Sequence, residues 1–175
     1  ETEFQQNPQT VQKLADLPHL VSKMQELQTT FSQDPAGTLN HLEAVLKDYA
    51  NVPELFVWHG TVMKALGYGE WAMRDFTRAI CLDPHYTLAY IERCAIWSGI
   101  GRFAEIFSDT EKILAYDADN IEVIALRTDA YALKGDKLGA MRESEAFLKF
   151  DLSQYPNPVT VLRQGDTFFQ HNRLD

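Results

Sequence analysis

Apolar residues recur along most of this chain at intervals of three and four positions, the spacing that places side chains on one face of an α-helix. Between residues 18 and 31 the apolar positions are Leu20, Val21, Met24, Leu27 and Phe31. After Asp34-Pro35 the same spacing continues through Leu39, Leu42, Val45, Leu46 and Tyr49. No segment alternates apolar and polar residues for long enough to require a strand. The pattern therefore predicts an all-α chain.

Prolines, glycines and capping residues divide this pattern into separate helices. Asn7-Pro8 and Asp34-Pro35 each combine a capping residue with proline at the first helical position. Glycines such as Gly67 terminate helices, because glycine readily adopts the left-handed conformation found there. After residue 53 the predicted helices span residues 54–66, 71–81, 88–98, 103–115, 122–133 and 138–150.

Residues of the same type recur along these helices with a period of 34 positions. These are a glycine at Gly67, Gly101 and Gly135, and long apolar or aromatic residues at Phe56, Tyr90, Ile124, Met63, Trp97 and Tyr131. A period of this length is typical of a stacked array of helix-turn-helix units. Such arrays bind other proteins far more often than they catalyse reactions.

The block from Pro53 to Tyr86 resembles a tetratricopeptide repeat. The matching positions are Phe56, Gly60, Met63, Ala72, Phe76, Ala79 and Pro84, and only His59 departs, standing where leucine is usual. Small residues at Gly60, Ala72 and Ala79 allow the two helices of a unit to approach closely. The resemblance implies a right-handed α-solenoid of antiparallel helix pairs.

The resemblance weakens on both sides of this block. We predict three repeats at residues 53–86, 87–120 and 121–154, preceded by N-terminal helices with a degenerate unit at residues 1–52. Residues 155–175 are predicted to form a capping helix or the first helix of a further repeat. In the second case the chain would be a segment of a longer array.

In this family the first helix of each repeat lines a concave groove, so the resemblance also implies a set of groove residues. Position by position these are Val57, Trp58, Thr61 and Lys64, then Leu88, Ile91, Glu92 and Ala95, then Glu122, Ala125, Leu126 and Asp129. An apolar floor with acidic positions suits a peptide or helix that has apolar anchors and some basic residues. Trp58 is the predicted hot spot, unless its ring packs within the stack.

One ligand of the family is disfavoured at these positions. Repeats that hold the acidic tails of heat-shock chaperones use a clamp of lysine, asparagine and arginine side chains. The corresponding positions here are Val57, Thr61, Glu92, Glu122 and Leu126. None of them matches and two carry the wrong charge, so a chaperone C-terminal acidic tail is not an expected partner.

Net charge and cysteine content narrow the classes of partner and the cellular compartment that are expected. The net charge is −9 and the isoelectric point is about 5.0, which disfavours nucleic acid and anionic membrane surfaces as partners. Cys81 and Cys94 are too few for a disulfide framework, and both lie on predicted apolar faces. Buried free thiols in a reducing, cytoplasmic location are the expected state.

No motif for catalysis, cofactor binding or metal binding is supported by the sequence around it. Residues 67–72 match the G-x-G-x-x-A dinucleotide pattern but lack the preceding strand that the motif needs. The five histidines are scattered, and His59 is expected to be a satisfied core histidine. Cys94 lacks a local histidine partner, and Glu143 and Glu145 are expected on a solvated helix face. We therefore predict no enzyme, no cofactor and no metal.

The predicted function is a scaffold or adaptor that binds a peptide or helix of a partner protein in the concave groove. Two alternatives stay open: a secretion-type chaperone that holds an unfolded partner segment, and the interaction domain of a larger enzyme. A second surface is suggested by Tyr68 and Trp71, which lie at a turn. We expect Trp71 to pack against the preceding loop, and the alternative is a lateral protein contact.

Overall fold

The computed structural model describes residues 22, 26, 29–31 and 33–147, with the backbone alone at 146 and 147. Within these residues the chain is helical and has no strand, which confirms the all-α prediction. The helices are α1 (Pro35–Asp48), α2 (Pro53–Ala65), α3 (Gly69–Leu82), α4 (Thr87–Gly99), α5 (Phe103–Leu114), α6 (Ile121–Lys134) and α7 (Lys137–Phe147). The predicted N-terminal helix at 8–17 and the C-terminal unit at 155–175 lie outside the described residues.

Helices that are consecutive in sequence pack against each other. The helix pairs are α2 with α3, α4 with α5, and α6 with α7, and contacts of α3 with α4 and of α5 with α6 join one pair to the next. Helix α1 packs on α2, and α2 also touches α4. The result is the predicted α-solenoid of antiparallel helix pairs. The division into units at 53–86, 87–120 and 121–154 stays a prediction.

The turn inside each helix pair has the same backbone geometry. Gly67, Gly101 and Gly135 have φ angles of 86°, 71° and 82°, which side chains with a Cβ rarely adopt. The residue after each glycine donates its N–H to a carbonyl five positions earlier, as seen for Tyr68 to Met63, Arg102 to Trp97 and Asp136 to Tyr131. This bond satisfies an otherwise free carbonyl at the helix end. The predicted helix ends therefore agree with α2 to α6 within two residues.

Small residues allow α2 and α3 to approach closely, as predicted. A Cβ atom added to Gly60 would lie 2.6 Å from Cε1 of Phe76 and 3.1 Å from Cβ of Asp75. Ala72, Phe76 and Ala79 on α3 are fully buried and form one core cluster with Val57 and Ala89. The same three positions of α5, namely Ile106, Thr110 and Ile113, are also fully buried. Bulkier or polar residues there adjust the packing without changing the fold.

Each helix pair also contains a bond between a basic residue on its first helix and an acidic residue on its second. These basic–acidic pairs are His59–Asp75 at 2.6 Å, Arg93–Asp109 at 2.7 Å and Arg127–Glu143 at 2.8 Å. The acidic residue always lies 16 positions after the basic one. The basic residues are one period apart, so the pairs repeat in register with the solenoid.

The same basic side chains reach back to the helix that precedes their own. Nη1 of Arg93 lies 3.1 Å from Oγ1 of Thr77 on α3, and Nη1 of Arg127 lies 3.3 Å from Oγ1 of Thr110 on α5. His59 Nε2 lies 4.0 Å from Oε1 of Glu43 on α1. Because Arg93 and Arg127 bond to the helices on both sides of their own, their basic–acidic pairs link one helix pair to the next.

The basic–acidic pairs correct two expectations. Glu143 does not lie on a solvated face, because its side chain is only 17% exposed and bonds to Arg127. His59 is buried, and its Nδ1 donates to Asp75. Its Nε2 atom, however, is buried and has no hydrogen-bond partner among the described residues. The prediction of a fully satisfied histidine is therefore wrong for one of the two ring nitrogens.

Two further expectations are wrong because the side chains face solvent. Tyr68 and Trp71 are 55% and 57% exposed, so most of the Trp71 ring faces solvent and is not buried under the preceding loop. The guanidinium of Arg74 lies 4.8 Å from the centre of the Trp71 ring instead. Cys81 is exposed, whereas Cys94 is buried as predicted. Both cysteines are free thiols.

Candidate peptide-binding groove

A cleft of about 210 Å³ lies between α2 and α4. We call it the α2–α4 cleft. It is lined by Phe31, Val57, Trp58, Thr61, Val62, Leu88 and Glu92. The cleft thus brings together residues from both helices that the sequence assigned to the groove. Its lining is mostly apolar, and its chemistry is suited to holding a hydrophobic side chain.

Phe31 and Val62 line the cleft but were not among the predicted groove residues. Val62 follows Trp58 by four positions and therefore lies on the same side of α2. Phe31 comes from the segment before α1, which the sequence assigned to a degenerate unit. Its apolar helical spacing was visible, but its position beside α2 depends on how that segment packs.

Trp58 packs within the stack and also lines the cleft, and its role as a hot spot stays a prediction. Its ring packs against the core cluster of Leu42 and Val62, beside Phe31, Leu39 and Leu66. The ring also forms part of the cleft wall. Its large surface is therefore held in place by the stack, so it would lose little conformational freedom when a partner binds.

Val57 and Leu88 differ in how far they are available to a partner. Val57 is only 2% exposed and belongs to the α2–α3 core cluster, so it forms the base of the cleft. Leu88, in the first turn of α4, is 44% exposed and lies at the edge of the cleft. Leu88 is therefore the apolar wall residue with the most surface left to cover.

The polar groove residues near the cleft already bond within the chain. Lys64 forms an ion pair with Glu92 across α2 and α4. The Thr61 hydroxyl donates to the carbonyl of Val57 at 2.9 Å. Glu92 was expected to be an acidic spot in the groove, and its charge is largely balanced by Lys64.

The remaining predicted residues of α4 lie apart from the cleft. Ile91 is partly buried against the core cluster of Tyr90, Ile113 and Val123. Ala95 is exposed, seven positions after Leu88. A change at Ile91 would therefore disturb the core as well as any bound partner.

Helix α6 carries the acidic part of the predicted groove. Glu122 is exposed in its first turn. Leu126 packs against the cluster of Cys94, Ile106 and Ala130, and Ala125 is buried. Asp129 is half-buried, and this burial raises its pKa from 3.8 to about 6 because a charged carboxylate is poorly solvated there.

Reactive and metal-binding chemistry receives little support within the described part of the chain. Burial raises the pKa of the Cys94 thiol to about 12, so almost none of it is the reactive thiolate at neutral pH. No group of three or more histidine, cysteine or acidic side chains there is placed to hold a metal ion. None of the described helices is long and apolar enough to cross a membrane.

Comparison with known proteins supports the fold. No family model matches the chain. Among solved structures, MamA aligns with a TM-score of 0.63 and 20% identity over 78% of this chain and 75% of that MamA chain. A MamA fragment from Desulfovibrio magneticus RS-1 gives the same TM-score with 15% identity, covering 86% of this chain and 93% of the fragment. Identities this low show a shared fold and no more.

One curated protein resembles part of the sequence. Essential for maintenance of the cell wall protein 1 of Saccharomyces cerevisiae is 28% identical over 83 residues, which is 47% of this chain. The match covers only 9% of the yeast protein. The chain therefore corresponds to a small part of that relative.

Proposed function

We propose that this chain is a protein-binding scaffold without catalytic activity. In this proposal the α2–α4 cleft receives an apolar side chain from a peptide or helix of a partner protein. The observation that carries the proposal is the cleft itself, with its mostly apolar lining and the exposed wall residue Leu88. Covering the apolar surface of such a cleft with a partner side chain lowers the free energy of the complex, because that surface is removed from water.

The fold is consistent with this role. A solenoid in which each helix pair touches only its neighbours exposes a long continuous surface relative to its mass. The structural similarity to MamA supports that architecture. An intracellular, reducing location and the exclusion of nucleic acid stay predictions, as do the individual groove residues.

The proposal can be tested with two leucine variants. Leu88→Ala removes exposed apolar surface from the cleft wall, whereas Leu133→Ala removes a still more exposed leucine on α6 that does not line the cleft. We expect Leu133→Ala to keep the wild-type melting temperature because its side chain is 64% exposed, and Leu88→Ala, at a side chain 44% exposed, to lower it only slightly. Proteins captured from cell extract by the wild-type chain are identified by mass spectrometry.

Each captured protein is then purified and titrated against the three chains by calorimetry. We expect Leu88→Ala to reduce the affinity for the partner about tenfold, because one well-covered leucine contact contributes about that much to binding. Leu133→Ala should leave the affinity unchanged. If Leu88→Ala binds every captured partner as tightly as the wild type does, the cleft is not the binding site. Trp58→Ala is a less clean test because the ring also packs in the core.

A further inference from the structure

The 34-residue period relates the wall of the α2–α4 cleft to positions on α6. Leu88 corresponds to Glu122, and Thr61 corresponds to Ala95 and then to Asp129. Trp58 corresponds to Glu92 and then to Leu126. Positions that line the cleft on α2 and α4 therefore recur on α6, with carboxylates at two of them. The same face of the solenoid changes from apolar to acidic along its length.

The acidic side chains of α6 differ from Glu92 in their surroundings. Glu92 pairs with Lys64, and Arg127 of α6 is occupied by Glu143. Neither Glu122 nor Asp129 forms an ion pair with another residue in the described part of the chain. The raised pKa of Asp129 is attributed to burial alone. A cation from outside the chain would compensate these carboxylates.

Building on the proposed function, we propose that the partner segment carries a large apolar side chain and a lysine or arginine about four or five residues away from it. The apolar side chain enters the α2–α4 cleft, and the cation lies on the face of α6 that carries Glu122 and Asp129. These residues are about 10 Å apart along the helix, so the cation pairs with one carboxylate and is attracted by both. Helices α2 and α4 touch, and the same spacing of about 8–10 Å between α4 and α6 would place α6 about 12–15 Å from the middle of the cleft. An extended chain covers about 3.3 Å per residue, which gives this spacing.

Selection from a displayed library of random twelve-residue peptides tests both parts of the proposal. The full chain serves as the target, with Leu88→Ala and the double variant Glu122→Gln, Asp129→Asn as comparison targets. We expect peptides selected by the wild type to combine a large apolar residue with a lysine or arginine four or five positions away. Selection on the double variant should keep the apolar residue and lose the basic one.

Two outcomes would overturn only the charge assignment. They are enriched apolar peptides with no basic preference, and a basic preference that persists in the double variant. A library that yields no peptide dependent on Leu88 would overturn the proposed function together with this inference. So would concentration-dependent self-association of the wild type that Leu88→Ala abolishes, because a second copy would then be the occupant.

Titrations of a selected peptide by fluorescence anisotropy provide the quantitative check. We expect the double variant to bind the peptide about tenfold more weakly than the wild type at low salt. This difference in affinity should shrink as added salt screens the ion pairs. Replacing the basic residue of the peptide by glutamine should make the wild type and the double variant bind the peptide with equal affinity. A difference that survives this replacement would show that the carboxylates act through the fold and not through the cation.

Discussion

Arg93 and Asp109 form a two-point ion pair between α4 and α5. Nε of Arg93 donates to Oδ2 of Asp109 at 2.7 Å, and Nη2 donates to Oδ1 at 2.7 Å. Both side chains are largely buried, and Lys112 adds a third contact to the carboxylate at 3.2 Å. Paired in this way, the two groups are compensated, but either one alone would be a poorly solvated charge.

Removing the carboxylate of this pair is predicted to destabilise the fold. Asp109→Ala leaves Arg93 buried without its partner, and we expect a loss of about 3 kcal/mol in the free energy of unfolding. Replacing both residues by leucine should recover most of that loss, because a buried ion pair is often no more stabilising than apolar packing. Urea denaturation of the single and double variants measures the coupling.

Glu105→Gln provides a control on the same helix. It breaks the exposed ion pair between Glu105 and Arg102, which lies in water and should contribute nothing measurable to stability. If Asp109→Ala is as stable as Glu105→Gln, the basic–acidic pairs do not hold the helix pairs together.

A methyl group at Gly60 is predicted to push α2 and α3 apart. The added Cβ of Gly60→Ala would overlap the Phe76 ring and crowd the backbone-proximal Cβ of Asp75. Overpacking of this kind costs about 1–3 kcal/mol. Gly99→Ala is the matched control, because Gly99 lies in α4 with no neighbouring atom within 4 Å of an added Cβ. Thermal unfolding should show a lower Tm for Gly60→Ala only.

The two cysteines are predicted to differ in reactivity. Cys81 is exposed and should react with Ellman's reagent in the native protein. Cys94 is buried with a pKa raised to about 12, so its thiol should react only after unfolding. Titration should therefore find one reactive thiol under native conditions and two in denaturant. Rapid reaction of two thiols in the folded protein would contradict the packing around Cys94, and Cys81→Ser should abolish the native reaction.

Asp129 is predicted to make stability fall as the pH rises. Its pKa is about 6 in the folded chain and 3.8 in the unfolded chain, so between these values the folded state holds more protons. Stability therefore decreases through this window and the charged carboxylate destabilises the fold above it. At pH 7, Asp129→Asn should gain on the order of 1 kcal/mol, less than burial alone would give because the group is partly in water.

The same variant provides its own control at low pH. Well below the unfolded pKa of 3.8, at pH 3 and under, the carboxyl group is mostly protonated in both states, so the wild type and Asp129→Asn should unfold at nearly the same urea concentration. A stability difference that is constant from pH 3 to pH 7 would show that the substitution acts by packing and not by charge.

Much of the fold follows from local features of the sequence. The apolar spacing and the glycines at turns predicted α2 to α6 closely, because both act within a few residues of where they occur. The small residues at Gly60 and Ala72 predicted a close helix contact that the structure contains. The basic–acidic pairs were also present in the sequence as His59, Arg93 and Arg127, one period apart. They were not recognised because a separation of 16 residues indicates contact only once the turn geometry is known.

The candidate site depended more on the tertiary structure. The resemblance to tetratricopeptide repeats implied Trp58, Leu88 and Glu92 as groove residues, and the structure places all three at one cleft. The sequence could not decide that Glu92 pairs with Lys64, that Trp71 faces solvent or that Asp129 is half-buried. Exposure and charge pairing depend on which side chains meet across different helices. The sequence by itself therefore determined the helices and their stacking order, because those follow from local spacing, and the tertiary structure decided which charges and surfaces remain free for a partner.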